Sequence, residues 1–461
     1  MMKLLYFILA MITLSVSAQT ESIPQGGEYR FNSDIIPCIT TEQRFEIKNK
    51  LKMARKVLID KGILPLQYKS ASAPPKFIIP VKKAANTAMN EVWAISYFVD
   101  HNLEYPNKLQ DYNCGTRTYD DGNKGYNHQG TDFYTWPFSW YQFQNNMAEV
   151  VAAAPGKIIY KHDGEFDMSC DFNNNQWNAI YIEHNDGSIA WYGHLKKNTL
   201  STKAVGATVA AGEYLGVVGS SGNSSGPHLH FEVYDRNDNL IDPFTGNCNS
   251  GSSWWQNQVP YRNPTINALL LHTAEIAFNT CPETETTNIS FQFLPNTSVY
   301  TASYFKDQLA GTSAFYKLYK PDGEVFAEWT YLFNENYDSS YWYWHFNNLS
   351  DLGEWTFECT YQGKMVQQKF KVVNLISVAE ENLEKLSLAP NPVSDKVKFI
   401  GTLPDAENYQ MKLYNTIGQE VFKTPTFLSQ FDLGNLEKGV YYLKVYNNLS
   451  GVSKTYSIIK R

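Results

Sequence analysis

Residues 226–234 read GPHLHFEVY. Successive side chains on a strand point to opposite faces, so His228, His230 and Glu232 share one face while Leu229, Phe231 and Val233 share the other. The apolar alternates belong in a core, which fixes the strand and aims two imidazoles at one place. Upstream, AIYIEH (179–184), the turn NDG and SIAWYGHL (188–195) form the clearest hairpin in the chain. On its return strand His194 is expected to share a face with Tyr192 and Ala190. Glycines 206, 212, 216, 219, 222 and 226 punctuate the stretch between the hairpin and HLH. No GK[ST] comes after them, and they lead into a strand rather than a helix. They are therefore turns and not a phosphate-binding loop.

The 461 residues are enough for roughly three or four folding units. Aromatics at 15% and scarce charge-rich helical stretches predict a mainly β, multidomain protein. A net charge of −7, with no dense basic run, argues against nucleic acid as a partner. The N-terminus, MMKLLYFILAMITLSVSAQT, carries a lysine, a short apolar run and Val16-Ser17-Ala18, a signal-peptide pattern cut before Gln19. No later stretch reads as a membrane span. Thr41 to Gly62 places Ile47, Leu51, Ala54 and Leu58 at helical spacing. A Ser/Ala/Pro stretch, Ser70 to Pro75, separates this helix from the next unit. Residues 1–18 thus read as signal peptide, 19–75 as a helical pro-segment or appendage, and 76–262 as the unit holding the informative histidines. NISFQFL, SAFYKLYK, SYWYWHF and EWTFECTYQ predict an immunoglobulin-like β-sandwich over 263–375, then a polar linker, 376–385, and a last β-sandwich, 386–461. Export permits disulfides among the six cysteines, whose spacing leaves the pairing open, although Cys281 and Cys359 fall in one predicted unit.

A second cluster, YNHQGTDF, places Gly130 between His128 and Asp132, where a tight or unusual backbone could bring both side chains toward one ion. A catalytic zinc site takes three nitrogen or oxygen ligands and keeps one position open. His128, Asp132 and one histidine of HLH supply that number, without a choice between His228 and His230. Two histidines and a carboxylate also suit ferrous iron, but such a site has no need of the further histidines. His101, His162, His184, His272 and His345 have no comparable partners and read as structural.

The ordered set of HxxxD, YGHL, the glycine-rich stretch and GPHLHFEV resembles the lysostaphin/LytM-type zinc metalloendopeptidases over roughly 77–242. Cys114-Gly115-Thr116-Arg117 is similar to that family's Gly-x-Arg approach, whereas Met89 to Asn113 departs from its compact pattern. The resemblance implies an antiparallel β catalytic domain in which His128, Asp132 and His230 bind Zn2+ while His194 and His228 act on the reaction. It also implies a substrate of peptidoglycan cross-links, with glycine-rich peptides as the other class and a non-catalytic wall-binding member of the fold as the non-enzyme alternative.

APNPVSDKV, YNTIGQEV, LEKGVYYLKVYN and the terminal SIIKR resemble the sorting domains of Bacteroidetes type IX secretion cargo. That resemblance implies the type IX machinery as a partner and a secreted, extracellular or cell-surface location.

Overall fold

A computed structural model describes residues 24–31, 37–68, 73–85, 87–121, 125–171, 173–278, 281 and 285–461. The signal-peptide reading, and Ser70 to Ser72 of the linker reading, lie outside the described residues. No helix among the described residues is long and apolar enough to cross a membrane.

The protein is mainly β. Its central antiparallel sheet runs, in spatial order, Thr208–Val209, Gly156–His162, Ala179–Glu183, Ile189–Gly193, His228–Tyr234, Thr131–Thr135 and Trp93–Tyr97. The hairpin and the HLH strand are therefore neighbours, and their alternation decides what each face does. Leu229, Phe231, Val233, Ala190, Tyr192 and Ile182 join one buried apolar core. On the opposite face Trp177, Tyr181, Trp191 and Tyr234 pack against Ile39, Leu51 and Leu58 of the N-terminal segment. The N-terminal helix, Thr41–Asp60, opens on a capping box in which Thr40 and Gln43 satisfy each other's backbone N–H groups. It ends just before Gly62, whose φ is +67°.

The middle unit is a β-sandwich. One sheet is Thr265–His272, Val299–Gln308, Tyr337–Phe346 and, from the far end of the chain, Gln25–Glu28. The other is Gln292–Phe293, Lys364–Val372, Gly353–Tyr361, Ser313–Tyr319 and Val325–Leu332. TINALLLH has no polar face because both sides of this strand are covered: Leu269 and Leu271 face the sandwich interior, while Ala268 and Leu270 join the core of the central sheet. Polar ties cross the same boundary. Asn267 donates to the Trp93 carbonyl at 3.0 Å, Trp136 Nε1 to the Phe305 carbonyl at 3.1 Å, and Arg117 pairs with Asp307 at 2.8 Å. Two units that read as separable modules in the sequence are thus welded through one core.

The N-terminal segment lends a strand to the sandwich and packs a helix on the central sheet. The polar linker contains a helix, Leu375–Glu384. Beyond it, residues 387–460 form a small two-sheet sandwich around Met411, Leu413, Leu443, Val445 and Ile458. Disulfides join Cys114 to Cys248 and Cys170 to Cys281, while Cys38 and Cys359 are free thiols. Sharing a predicted unit thus did not make Cys281 and Cys359 partners.

Candidate active site

The register of the central sheet builds the site. His230 pairs with Asp132 on the neighbouring strand and with Gly193 on the other, and His228 pairs with Tyr134. His128 precedes the Asp132 strand by one turn of backbone. Its Nδ1 donates to the Phe98 carbonyl at 2.7 Å, which turns Nε2 inward to lie 3.0 Å from Asp132 Oδ2. His230 presents Nδ1 to Asp132 Oδ1 at 2.8 Å and donates from Nε2 to Glu232 Oε2 at 2.9 Å. Each ring therefore has its outer nitrogen anchored and its inner one turned toward the Asp132 carboxylate, an arrangement typical of histidine ligands. His228 Nε2 is farther from the carboxylate, 3.9 Å from Asp132 Oδ1.

Gly130 serves closeness rather than an unusual φ: a Cβ there would stand 2.5 Å from Cε1 of His230. Gly193 likewise makes room for Trp177, whose ring a Cβ would meet at 2.5 Å. His194 departs from the expected face. Its φ of +61° breaks the alternation after Gly193, so Tyr192 and Ala190 point into the core while His194 turns to the site. There its ring centroid lies 4.4 Å from that of His228. His194 Nδ1 donates to the Ser221 carbonyl at 2.6 Å and His228 Nδ1 to that of Gly226 at 2.9 Å, leaving both Nε2 atoms directed inward. The structure thus brings all five sequence-chosen residues together, each at most 3% exposed. Burial disfavours charge on His128, but the adjacent Asp132 carboxylate outweighs it and raises the pKa to about 9. Burial and the neighbouring His228 push His194 below its ordinary value.

The five histidines read as structural have partners elsewhere, such as Asp242 for His101 and Glu165 for His162. Arg117, in the Gly-x-Arg resemblance, serves the junction with the sandwich through Asp307. The divergent stretch before it supplies the edge strand Trp93–Tyr97 and the Phe98 carbonyl that orients His128.

Three contributors from the N-terminal segment went unread in the sequence. Cys38 is buried with Sγ 3.9 Å from His228 Nε2 and 3.3 Å from the Tyr119 hydroxyl. Donor atoms of Cys38, His128, Asp132 and His230 all lie within 4.8 Å of one another. Arg44 pairs with Glu232 and donates to the Tyr234 hydroxyl at 2.9 Å. Phe31 stacks on Tyr134 at 4.5 Å between centroids and meets His228 edge-on. The local signal nearby is the helical spacing from Thr41 to Gly62, which says nothing of Cys38.

Two family models match parts of this chain. The family model "Peptidase family M23" matches residues 127–243, and "Secretion system C-terminal sorting domain" matches 387–460. Glycyl-glycine endopeptidase ALE-1 of Staphylococcus capitis is 36% identical over 119 residues, 26% of this chain and 27% of that protein. Peptidoglycan DD-endopeptidase ShyC of Vibrio cholerae is 36% identical over 84 residues, 18% of each. The chain thus spans well under a third of the length of these curated relatives. The solved catalytic domain of lysostaphin from Staphylococcus simulans is 25% identical, with 33% of this chain and 89% of that one covered and a TM-score of 0.22. Residues 127–243 are accordingly a peptidase family M23 domain, and residues 387–460 a sorting domain that directs the chain by type IX secretion to the cell surface or exterior.

Proposed function

We propose that the chain is a zinc-dependent endopeptidase that hydrolyses peptide bonds of peptidoglycan. One observation carries the reading: the ligand atoms of His128, Asp132 and His230, all buried, lie within 4.8 Å of one another while the outer nitrogens of both rings are anchored. Two imidazole nitrogens and a carboxylate oxygen are the donor set of a catalytic zinc site. When bound, zinc polarises the scissile carbonyl and makes hydroxide available near neutral pH.

The chain's own residues do the rest. Phe98 and Glu232 hold the two rings in their binding tautomers, through the carbonyl and carboxylate they offer. His194 and His228 line the other side with Nε2 directed inward. Between them they take the proton of the attacking water, return it to the leaving amine and stabilise the oxyanion. Both rings are anchored alike, each through Nδ1 on a backbone carbonyl. The substrate class comes from the resemblance and from relatives named for cutting glycyl-glycine bonds and peptidoglycan. Glycine-rich protein is the second class.

The test compares the mature core with His230→Ala for metal content and for peptide release from isolated peptidoglycan and from a glycine-rich protein. Stoichiometric zinc and muropeptide release, both lost in the variant, is the expected result. Cleavage of the protein alone would reassign the substrate. A folded core that binds no zinc and cuts neither would leave a wall-binding role.

A further inference from the structure

We propose that Cys38 is the fourth ligand of the metal centre in the intact chain, and that the segment carrying it keeps the endopeptidase latent until it is withdrawn. The proposal rests on the zinc reading of the site. Cys38 belongs to two ligand groups at once, one with His128, Asp132 and His230 and the other with His194 and His228. Its thiol therefore stands between the proposed ligands and the proposed proton-transfer pair, where the attacking water has to be. An independent observation points the same way. His128 Nε2 and His194 Nε2, one from each of these groups, are fully buried and neither has a hydrogen-bond partner among the described residues, as ligand-facing nitrogens of a metal site would be.

The second free thiol gives the contrast. Cys359 is buried in the apolar interior of the middle sandwich among Trp355, Phe357 and Phe370, as an ordinary core cysteine is. Cys38 faces imidazoles and a carboxylate instead. Thiolate is a good zinc ligand, and four protein ligands close a site that catalysis requires to be open. On withdrawal Sγ regains a proton and the vacated position falls to water, an exchange that consumes no oxidant or reductant.

The segment is secured on both sides of Cys38. Before it, Gln25–Glu28 pairs with the sandwich, Tyr29 stacks on Trp136 at 4.4 Å and Phe31 on Tyr134. After it, Ile39 is buried against the sheet and the capped helix begins, which fixes the thiol on a rigid entry. Arg44 then grips Glu232, the carboxylate that orients His230, and Arg55 pairs with Glu183 at 2.7 Å. The cover thus holds both the open coordination position and the partner of a ligand.

The test uses the full-length exported chain loaded with cobalt(II) in place of zinc. A near-ultraviolet thiolate-to-cobalt charge-transfer band is expected, lost in Cys38→Ser while the metal stays bound. Iodoacetamide should spare Cys38 in the loaded chain and modify it once the metal is chelated, with Cys359 as the buried control. Cys38→Ser, loaded with zinc, should release muropeptides without processing where the unaltered chain does not. Arg44→Gln keeps the thiol but frees Glu232, and should speed alkylation about tenfold. Cobalt bound without that band, with alkylation indifferent to metal, overturns the latch and leaves the zinc reading standing. No metal bound by either chain removes the zinc reading and the latch with it.

Discussion

Gly130 leaves no space for a methyl group, because the His230 ring already occupies it. Gly130→Ala should displace that ring and weaken zinc affinity on the order of 10- to 100-fold, as losing an outer partner of a ligand does. A chelator competition titration reads it, and unchanged affinity would show that His230 is not a ligand. The two kinds of histidine should separate in the same way. His230→Ala should lose the metal, whereas His194→Ala and His228→Ala should keep most of it and lose turnover by about 10²- to 10⁴-fold. Equal zinc loss in all three would undo the division of roles. The HLH histidines are legible because strand alternation is strict and their apolar alternates announce a core. Alternation alone puts His194 on the wrong face, because its left-handed backbone ends the pattern one residue early. Cys38 is invisible for another reason: its contact with His228 spans 190 residues, and no local spacing encodes a meeting so distant.

Among the elements, the short helix Ser139–Gln144 has no side-chain cap of its own. The Glu285 carboxylate from the middle unit accepts from the Tyr141 N–H at 2.8 Å near the helix start and acts in its place. Burial pushes this carboxyl up to about 7, against the pull of its backbone donors. A folded-state pKa above the unfolded one means that the folded chain holds the proton more tightly. The stabilisation is complete below the ordinary carboxyl pKa and is lost as pH rises toward 7. Glu285→Gln should therefore flatten the fall in urea stability over this range, which amounts to on the order of 2–3 kcal/mol in the unaltered chain. Identical slopes in the two proteins would show that Glu285 does not titrate there. TINALLLH reads as a strand but cannot reveal its second covering layer, since a wholly apolar run says only that both faces are dry. Thr41 to Gly62 is legible almost to the residue because apolar spacing and terminal glycine agree, and the capping box at Thr40 and Gln43 then fixes the start.

At the scale of the molecule, the shared core predicts an asymmetry between truncations. A chain ending at 262 would expose the surfaces of Trp136 and Phe138 that pack against Tyr304. Without the sandwich strands it should lose stability comparable to the whole folding free energy, about 5–15 kcal/mol, and be recovered as aggregate. A chain ending at 374 lacks only the linker helix and the sorting domain, which share a core of their own, and should melt within a few degrees of the unaltered protein in calorimetry. Equal loss in both would mean that the sorting domain is structurally integral. The linear order of the units is readable from turn signals and strand patterns, but their fusion is not. Nor could cysteine spacing announce that one disulfide, Cys170–Cys281, would bridge two predicted units.

The edge strand Gln25–Glu28 also sets a timetable. Its Gln25 accepts a hydrogen bond from Tyr343, 318 residues later, so this rung has nowhere to form until most of the polypeptide exists. Contacts between such distant residues close slowly and depend on everything between them having folded. This leading strand is consequently among the last elements to settle. A nascent or clipped molecule that lacks the middle sandwich has no docking edge for its own leading strand.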